Sequence, residues 1–329
     1  MNKVGIYFAY WTDSWKADFG YYVTKVASLG FDILEIQPDA LLVMPKTKLD
    51  EIKKAANDRG IELTYCIGFP QDKDLASKDA SVRRAGIKYA RKILDVIHYM
   101  DGRVFGGINY SAWPATLPEG VADKRPYLER SIKSVKEIIK TAEDYGITYC
   151  VEVVNRFEQF LLNTAAEGVA YVDAVGSPNL KLLLDAFHMN IEEDSISQAI
   201  VTAGDKLGHL HIGETNRKTP GKGHMPWDEI AQALRQINYQ GRIVMEPFVK
   251  VGGEVGEAIK VWRDLSGGAD ETQLDMDAKA ALAFIKSKLQ ALDGIRGVCA
   301  PKPEKVMKWI GPGATAPQLD VQGGERDTL

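Results

Sequence analysis

Short apolar runs rich in Val, Ile and Leu alternate with longer segments in which apolar residues recur every three or four positions. The runs of the first kind fall at 4–9, 33–37, 63–68, 104–109, 148–154, 182–185, 207–212 and 243–246. Their length and content predict strands buried on both faces. The second kind, clearest at 49–59, 82–99, 127–145 and 227–237, predicts helices with one core-facing stripe. Strands and helices in this order are the pattern of βα units around a parallel sheet. Eight such units in about 250 residues match a single (β/α)8 TIM barrel of the α/β class. A doubly wound sheet shares the alternation, but no G-x-G-x-x-G or Walker-type loop follows an early strand.

From residue 294 the periodicity stops, and Ala300-Pro301-Lys302-Pro303, Gly311-Pro312-Gly313 and Gly323-Gly324 punctuate the chain. The expected organisation is a barrel over 1–293 and a C-terminal extension over 294–329. The extension is expected to be partly disordered, or docked through its apolar piece 306–310, which carries Trp309, on its own barrel or a neighbouring subunit. The 329 residues are 45% hydrophobic and 26% charged, an ordinary globular balance. Forty-one basic against forty-five acidic side chains leave a formal charge of -4, so no overall positive field attracts nucleic acid. No apolar stretch reaches membrane-spanning length, and the first residues lack the features of a secretory signal. Three widely spaced cysteines, Cys66, Cys150 and Cys299, suit a reducing compartment. A soluble, cytoplasmic protein is expected.

Chemistry concentrates at the strand ends, where a TIM barrel carries its active site. Four consecutive predicted strands finish in a potential metal ligand: Glu152, Asp185, His211 and Glu246. One acidic residue at a strand end is more often a helix N-cap or an ion-pair partner, and one histidine is more often a satisfied core residue. Four in register reverse that balance, because carboxylates inside runs of Val, Leu and Met need compensation that a shared cation supplies. Three carboxylates and one imidazole form a hard donor set suited to Mn²⁺, Mg²⁺ or Co²⁺. Such an ion keeps open positions for two adjacent oxygens of a sugar. Nearby loops add Arg156, Glu158, His188 and Arg217, for which a solvated surface charge is the competing reading. Tyr7, Trp15 and Trp113 lie near early strand ends and are candidates to wall the pocket, with core packing as the alternative. Cys66 and Gly107, at the third and fourth strand ends, complete the expected substrate-binding set.

The blocks Glu152-Val153-Val154-Asn155-Arg156-Phe157-Glu158, Asp185-Ala186-Phe187-His188-Met189-Asn190, Gly208-His209-Leu210-His211 through Arg217, and Val244-Met245-Glu246-Pro247-Phe248 resemble the D-tagatose 3-epimerase family. That family includes D-psicose 3-epimerases and lies within the xylose-isomerase-like TIM barrels. The resemblance runs from Val4 through Leu292 and includes Ile33-Leu34-Glu35-Ile36 and Val261-Trp262-Arg263-Asp264. It implies that Glu152, Asp185, His211 and Glu246 bind Mn²⁺ or Co²⁺. It implies further that Glu158, His188 and Arg217 hold the O1 and O2 end of a free ketose. Glu152 and Glu246 then act as acid-base groups on opposite faces of carbon 3, through a cis-enediolate, and no organic cofactor is required. Segments 35–39, 65–70 and the tail beyond 292 depart from the family pattern, which leaves the preferred sugar and the assembly open.

An aldose-ketose isomerase on the same barrel would use the same metal for a shift between carbons 1 and 2. A multi-metal nuclease of the endonuclease barrel type would need a basic groove and more than five histidines. A silent sugar-binding barrel would have lost one of the seven polar positions, all of which are filled. By fold analogy a homodimer or homotetramer is expected.

Overall fold

Strands β1 (Val4–Tyr7), β2 (Ile33–Ile36), β3 (Glu62–Cys66), β4 (Val104–Gly106), β5 (Thr148–Val153), β6 (Leu180–Asp185), β7 (Leu207–Ile212) and β8 (Arg242–Met245) pair in sequence order, and β8 returns to β1. Every pairing is parallel, so a closed (β/α)8 barrel results. The computed structural model describes residues 2–290, and the expectations for the segment beyond 293 lie outside the described residues. Nearly every strand residue is buried, as apolar runs with helices on one side and a filled interior on the other require.

The observed strands stop short of several expected ends for a local reason. At β1 the chain tightens into a 3-10 turn over Phe8–Tyr10, and at β8 the strand ends one residue before Glu246 and Pro247. Proline has no N–H to extend a ladder. The exit of β8 leaves Glu246 lining the cavity above the barrel, whereas Phe8 and Tyr10 after β1 are buried in the core.

Helices α1 (Phe19–Leu29), α2 (Lys46–Arg59), α3 (Ala80–Tyr99), α4 (Arg125–Tyr145), α5 (Ala165–Val175), α6 (Ala186–Glu192), α7 (Ile196–Ala203), α8 (Trp227–Gln236), α9 (Gly253–Ile259) and α10 (Glu271–Gln290) form the outer layer. Local chemistry sets several starts. Asp18 accepts from Gly20 and Tyr21, Asp79 from Ser81, and Thr164 from Glu167, each satisfying N–H groups that have no helical partner. At the bottom of the barrel α4 ends on Gly146 at φ 63, a left-handed turn that costs glycine little and feeds directly into β5. Helix α10 is anchored to the N-terminal region: Asp275 accepts from Trp11 Nε1 at 2.7 Å and from Lys25 Nζ, and Tyr10 donates to the Leu274 carbonyl. None of the described helices is long and apolar enough to cross a membrane.

The helix ring is closely packed where α3 meets the loop before it. A Cβ on Gly86 would stand 2.3 Å from the Lys73 carbonyl oxygen and 2.8 Å from Leu75 Cδ2. Gly86→Val should therefore destabilise the fold by about 1–3 kcal/mol, the usual penalty of overpacking, read as a lower midpoint in a thermal melt with the active-site residues intact.

Candidate active site

The upper rim of the barrel gathers the four strand-end residues named above. Ligand atoms of Glu152 (β5), Asp185 (β6), His211 (β7) and the post-β8 Glu246 all lie within 4.8 Å of one another, and all four residues are buried. Asp185 serves two purposes at once. Its Oδ1 caps α6 by accepting from Phe187 N at 2.9 Å, while Oδ2 faces the cluster and meets Arg217 Nη1 at 2.7 Å. Cap and cluster member therefore coexist in one side chain.

His211 is fully buried, with Nε2 2.6 Å from Glu35 Oε1. Its Nδ1 stands 3.4 Å from Glu246 Oε1 and 3.9 Å from Glu152 Oε1, with no hydrogen-bond partner. Burial opposes a charge on this ring, yet Glu35 and Glu246 outweigh it and hold its pKa well above the usual histidine range. Burial, followed by the charge of Glu246, pushes the Glu152 carboxyl well above the carboxylate range. The His211 shift reflects the carboxylates around it, whereas that of Glu152 reflects first its burial. An unpartnered buried imidazole nitrogen facing a cage of carboxylates fits a divalent ion of the hard class.

Arg217 lies beside this cage. Its Nη1 bonds Asp185 Oδ2 and, at 2.9 Å, Glu246 Oε2, while its guanidinium stacks 3.9 Å from the Phe187 ring centroid. Its backbone is left-handed, at φ 63, which is unfavourable for a residue with a Cβ. The strain is held by the turn around it: Arg217 N donates to Glu214 O, Glu214 N to Lys218 O, and Phe248 N to Arg217 O. Glu214, fully buried, secures the rest of the loop by accepting from Gly221 N, Met225 N and Trp227 Nε1 at 2.7, 3.1 and 2.9 Å.

The second sugar-end candidate, His188 on α6, is likewise buried. Asn155 donates to its Nδ1 from the backbone at 3.2 Å, which leaves the proton of the neutral ring on Nε2. That nitrogen looks toward Asp185 Oδ2 at 3.7 Å and Glu152 Oε1 at 3.8 Å. Arg217 Nη2 lies 3.3 Å away, and the two are neighbouring donors rather than a bonded pair. Burial lowers the pKa of His188 to about 3, so the ring is neutral at ordinary pH. Glu158 is fixed by Trp113 Nε1 at 2.9 Å and Asn155 Nδ2 at 3.0 Å. Arg156 turns away into an exposed ion pair with Glu192, in keeping with the surface reading of that residue.

Tyr7, Trp15, Cys66 and Trp113 line the same cavity as Glu152, Glu158, His188, Arg217 and Glu246. Gly107 sits behind that surface. At φ 114, a Cβ there would stand 2.2 Å from the Ile67 carbonyl oxygen, and the Gly107 carbonyl accepts from Glu152 N. Its neighbour Ile108 faces the cavity. Gln37, Phe248 and Ile259 also line it, without having been singled out from the sequence. Glu35 and His209 were missed as a functional pair, although a glutamate within Ile33-Leu34-Glu35-Ile36 carries the signal that marked Glu152.

The family model of xylose isomerase-like TIM barrels matches residues 23–265. A D-psicose 3-epimerase of Agrobacterium fabrum is 51% identical over 282 residues, covering 86% of this chain and 97% of that protein. A solved D-psicose 3-epimerase with D-tagatose from Clostridium cellulolyticum H10 superposes with a TM-score of 0.85 at 49% identity, over 87% of this chain and 99% of the other. A second solved D-psicose 3-epimerase, determined in the presence of D-fructose, gives a TM-score of 0.85 at 51% identity, over 87% and 99% of the two chains. The chain belongs to the xylose isomerase-like TIM barrels and, within them, to the ketose 3-epimerases, which are isomerase-class enzymes.

Glu214→Ala would leave two loop N–H groups and the Trp227 indole N–H without their acceptor, at roughly 1–3 kcal/mol for each one that stays buried. The expected result is a lower thermal midpoint together with faster proteolytic cleavage within residues 213–226.

Proposed function

We propose that this enzyme interconverts free ketohexoses at carbon 3, with D-fructose and D-psicose, or D-tagatose and D-sorbose, as the substrate pairs. The observation that carries the reading is the convergence of Glu152, Asp185, His211 and Glu246 within 4.8 Å at the mouth of the barrel. The relatives named D-psicose 3-epimerase, and the sugars named with their structures, support the substrate class.

In this reading Glu152, Asp185, His211 and Glu246 hold one divalent ion, Mn²⁺ by preference with Co²⁺ and Mg²⁺ of the same class. When bound, the ion supplies Lewis-acid polarisation of the ketone and its neighbouring hydroxyl. Glu158, His188 and Arg217 orient the O1 and O2 end, the last two as adjacent donors. Tyr7, Trp15 and Trp113 offer ring surface to the carbon skeleton. One of Glu152 and Glu246 removes the carbon 3 proton, negative charge spreads over a cis-enediolate, and the other glutamate returns a proton to the opposite face. Two bases on opposite faces spare the intermediate from turning over. Proton transfer by a positioned group contributes about 10²- to 10⁴-fold to rate.

Incubation of Mn²⁺-loaded enzyme with D-fructose or D-psicose in D₂O should yield the carbon 3 epimer carrying deuterium at that carbon, read by NMR. Aldose products would overturn the assignment in favour of an aldose-ketose isomerase. Glu152→Gln and Glu246→Gln should each lower kcat by at least about 10²-fold with an unchanged circular dichroism spectrum. Substantial turnover by either variant would remove the two-base mechanism.

A further inference from the structure

Behind the four-donor cluster, Glu35 of β2 accepts two hydrogen bonds: from His211 Nε2 at 2.6 Å and from His209 Nε2 at 2.8 Å. All three side chains are fully buried. In the ring of strands β2 and β7 stand three places apart, so these bonds cross the barrel interior instead of following a sheet edge. An ionised carboxylate only accepts. Each of its two oxygens meets one ring nitrogen, Oε1 that of His211 and Oε2 that of His209. Both rings must therefore place a proton on Nε2, and the geometry leaves Nδ1 of His211 as the nitrogen that faces Glu152 and Glu246.

We propose that Glu35 is a positioning residue for the divalent ion, with His209 as its anchor. Resting on the metal reading above, the inference adds a cause for it. Glu35 fixes which nitrogen of His211 is offered to the ion and aims the ring, and His209 prevents the carboxylate from rotating out of that bond. Partners of this kind behind metal-ligating histidines typically change metal affinity or activity by 10- to 100-fold when removed. Glutamine at position 35 would present one acceptor and one donor to two donating rings. One histidine must then move its proton to Nδ1, and if that ring is His211 the ion loses its lone pair.

Mn²⁺ affinity of the stripped full-length protein, measured by electron paramagnetic resonance titration, tests the proposal. Glu35→Gln should raise the Kd by about 10- to 100-fold, and saturating Mn²⁺ should restore most of its kcat with the sugar KM little changed. A merely structural role would lower the melting temperature of the metal-free protein and leave the Kd alone, which would overturn the inference. Asp185→Asn serves as the control. If it also binds Mn²⁺ like the parent, the four-donor site itself falls; if it loses binding while Glu35→Gln does not, only the role of Glu35 falls. Should Glu35→Gln fail to fold, His209→Leu decides: a raised Kd supports the anchored carboxylate, and an unchanged Kd removes it.

Discussion

Three carboxylates and an imidazole crowded within 4.8 Å inside a protein cannot all hold their ordinary charge states. This constraint organises the upper half of the barrel. Protons answer part of it, through the upward shifts of Glu152 and His211, and Arg217 answers another part by bonding Asp185 and Glu246. The divalent ion proposed for this cluster would be a compact answer that frees those groups for chemistry. The parallel sheet matters because it alone brings four strand ends to one rim with their side chains in register.

The surrounding loops have the task of holding donors against their own preferences. Arg217 accepts an unfavourable backbone because Glu214, Lys218 and Phe248 pin the turn from three sides. The Asn155 side chain reaches both Glu158 and His188, so two residues of the cavity wall share one brace. Trp113 joins the wall to the same brace through Glu158. Binding groups on loops thereby gain the precision of groups on strands.

Much of this was legible in the sequence, because the strands are short and mostly apolar and the last four close on a residue that is out of place there. Glu152, Asp185, His211 and Glu246 announced themselves by polarity within Val, Leu and Met runs. Glu35 carried the same mark, but its meaning lies in partners 174 and 176 positions away across the barrel, which no local pattern encodes. Gln37 and Ile259 reach the cavity through the course of their loops and helix, not through periodicity. Strand ends were overestimated at β1 and β4, where apolar character continues past the point at which the backbone leaves the sheet.

The Glu35 bonds to His209 and His211 make the middle of this barrel a polar girder instead of an oily plug. For protein engineering that divides the molecule in two. Larger aliphatic side chains, the ordinary way to tighten a core, have no place in that layer, since each would displace a donor or an acceptor whose partner stays buried. Durability has to be built into the outer ring, where exposed apolar positions such as Val43 and Met276 lie outside the cavity lining. The interior sets what the enzyme can do, and the periphery is where its tolerance to heat can be rewritten.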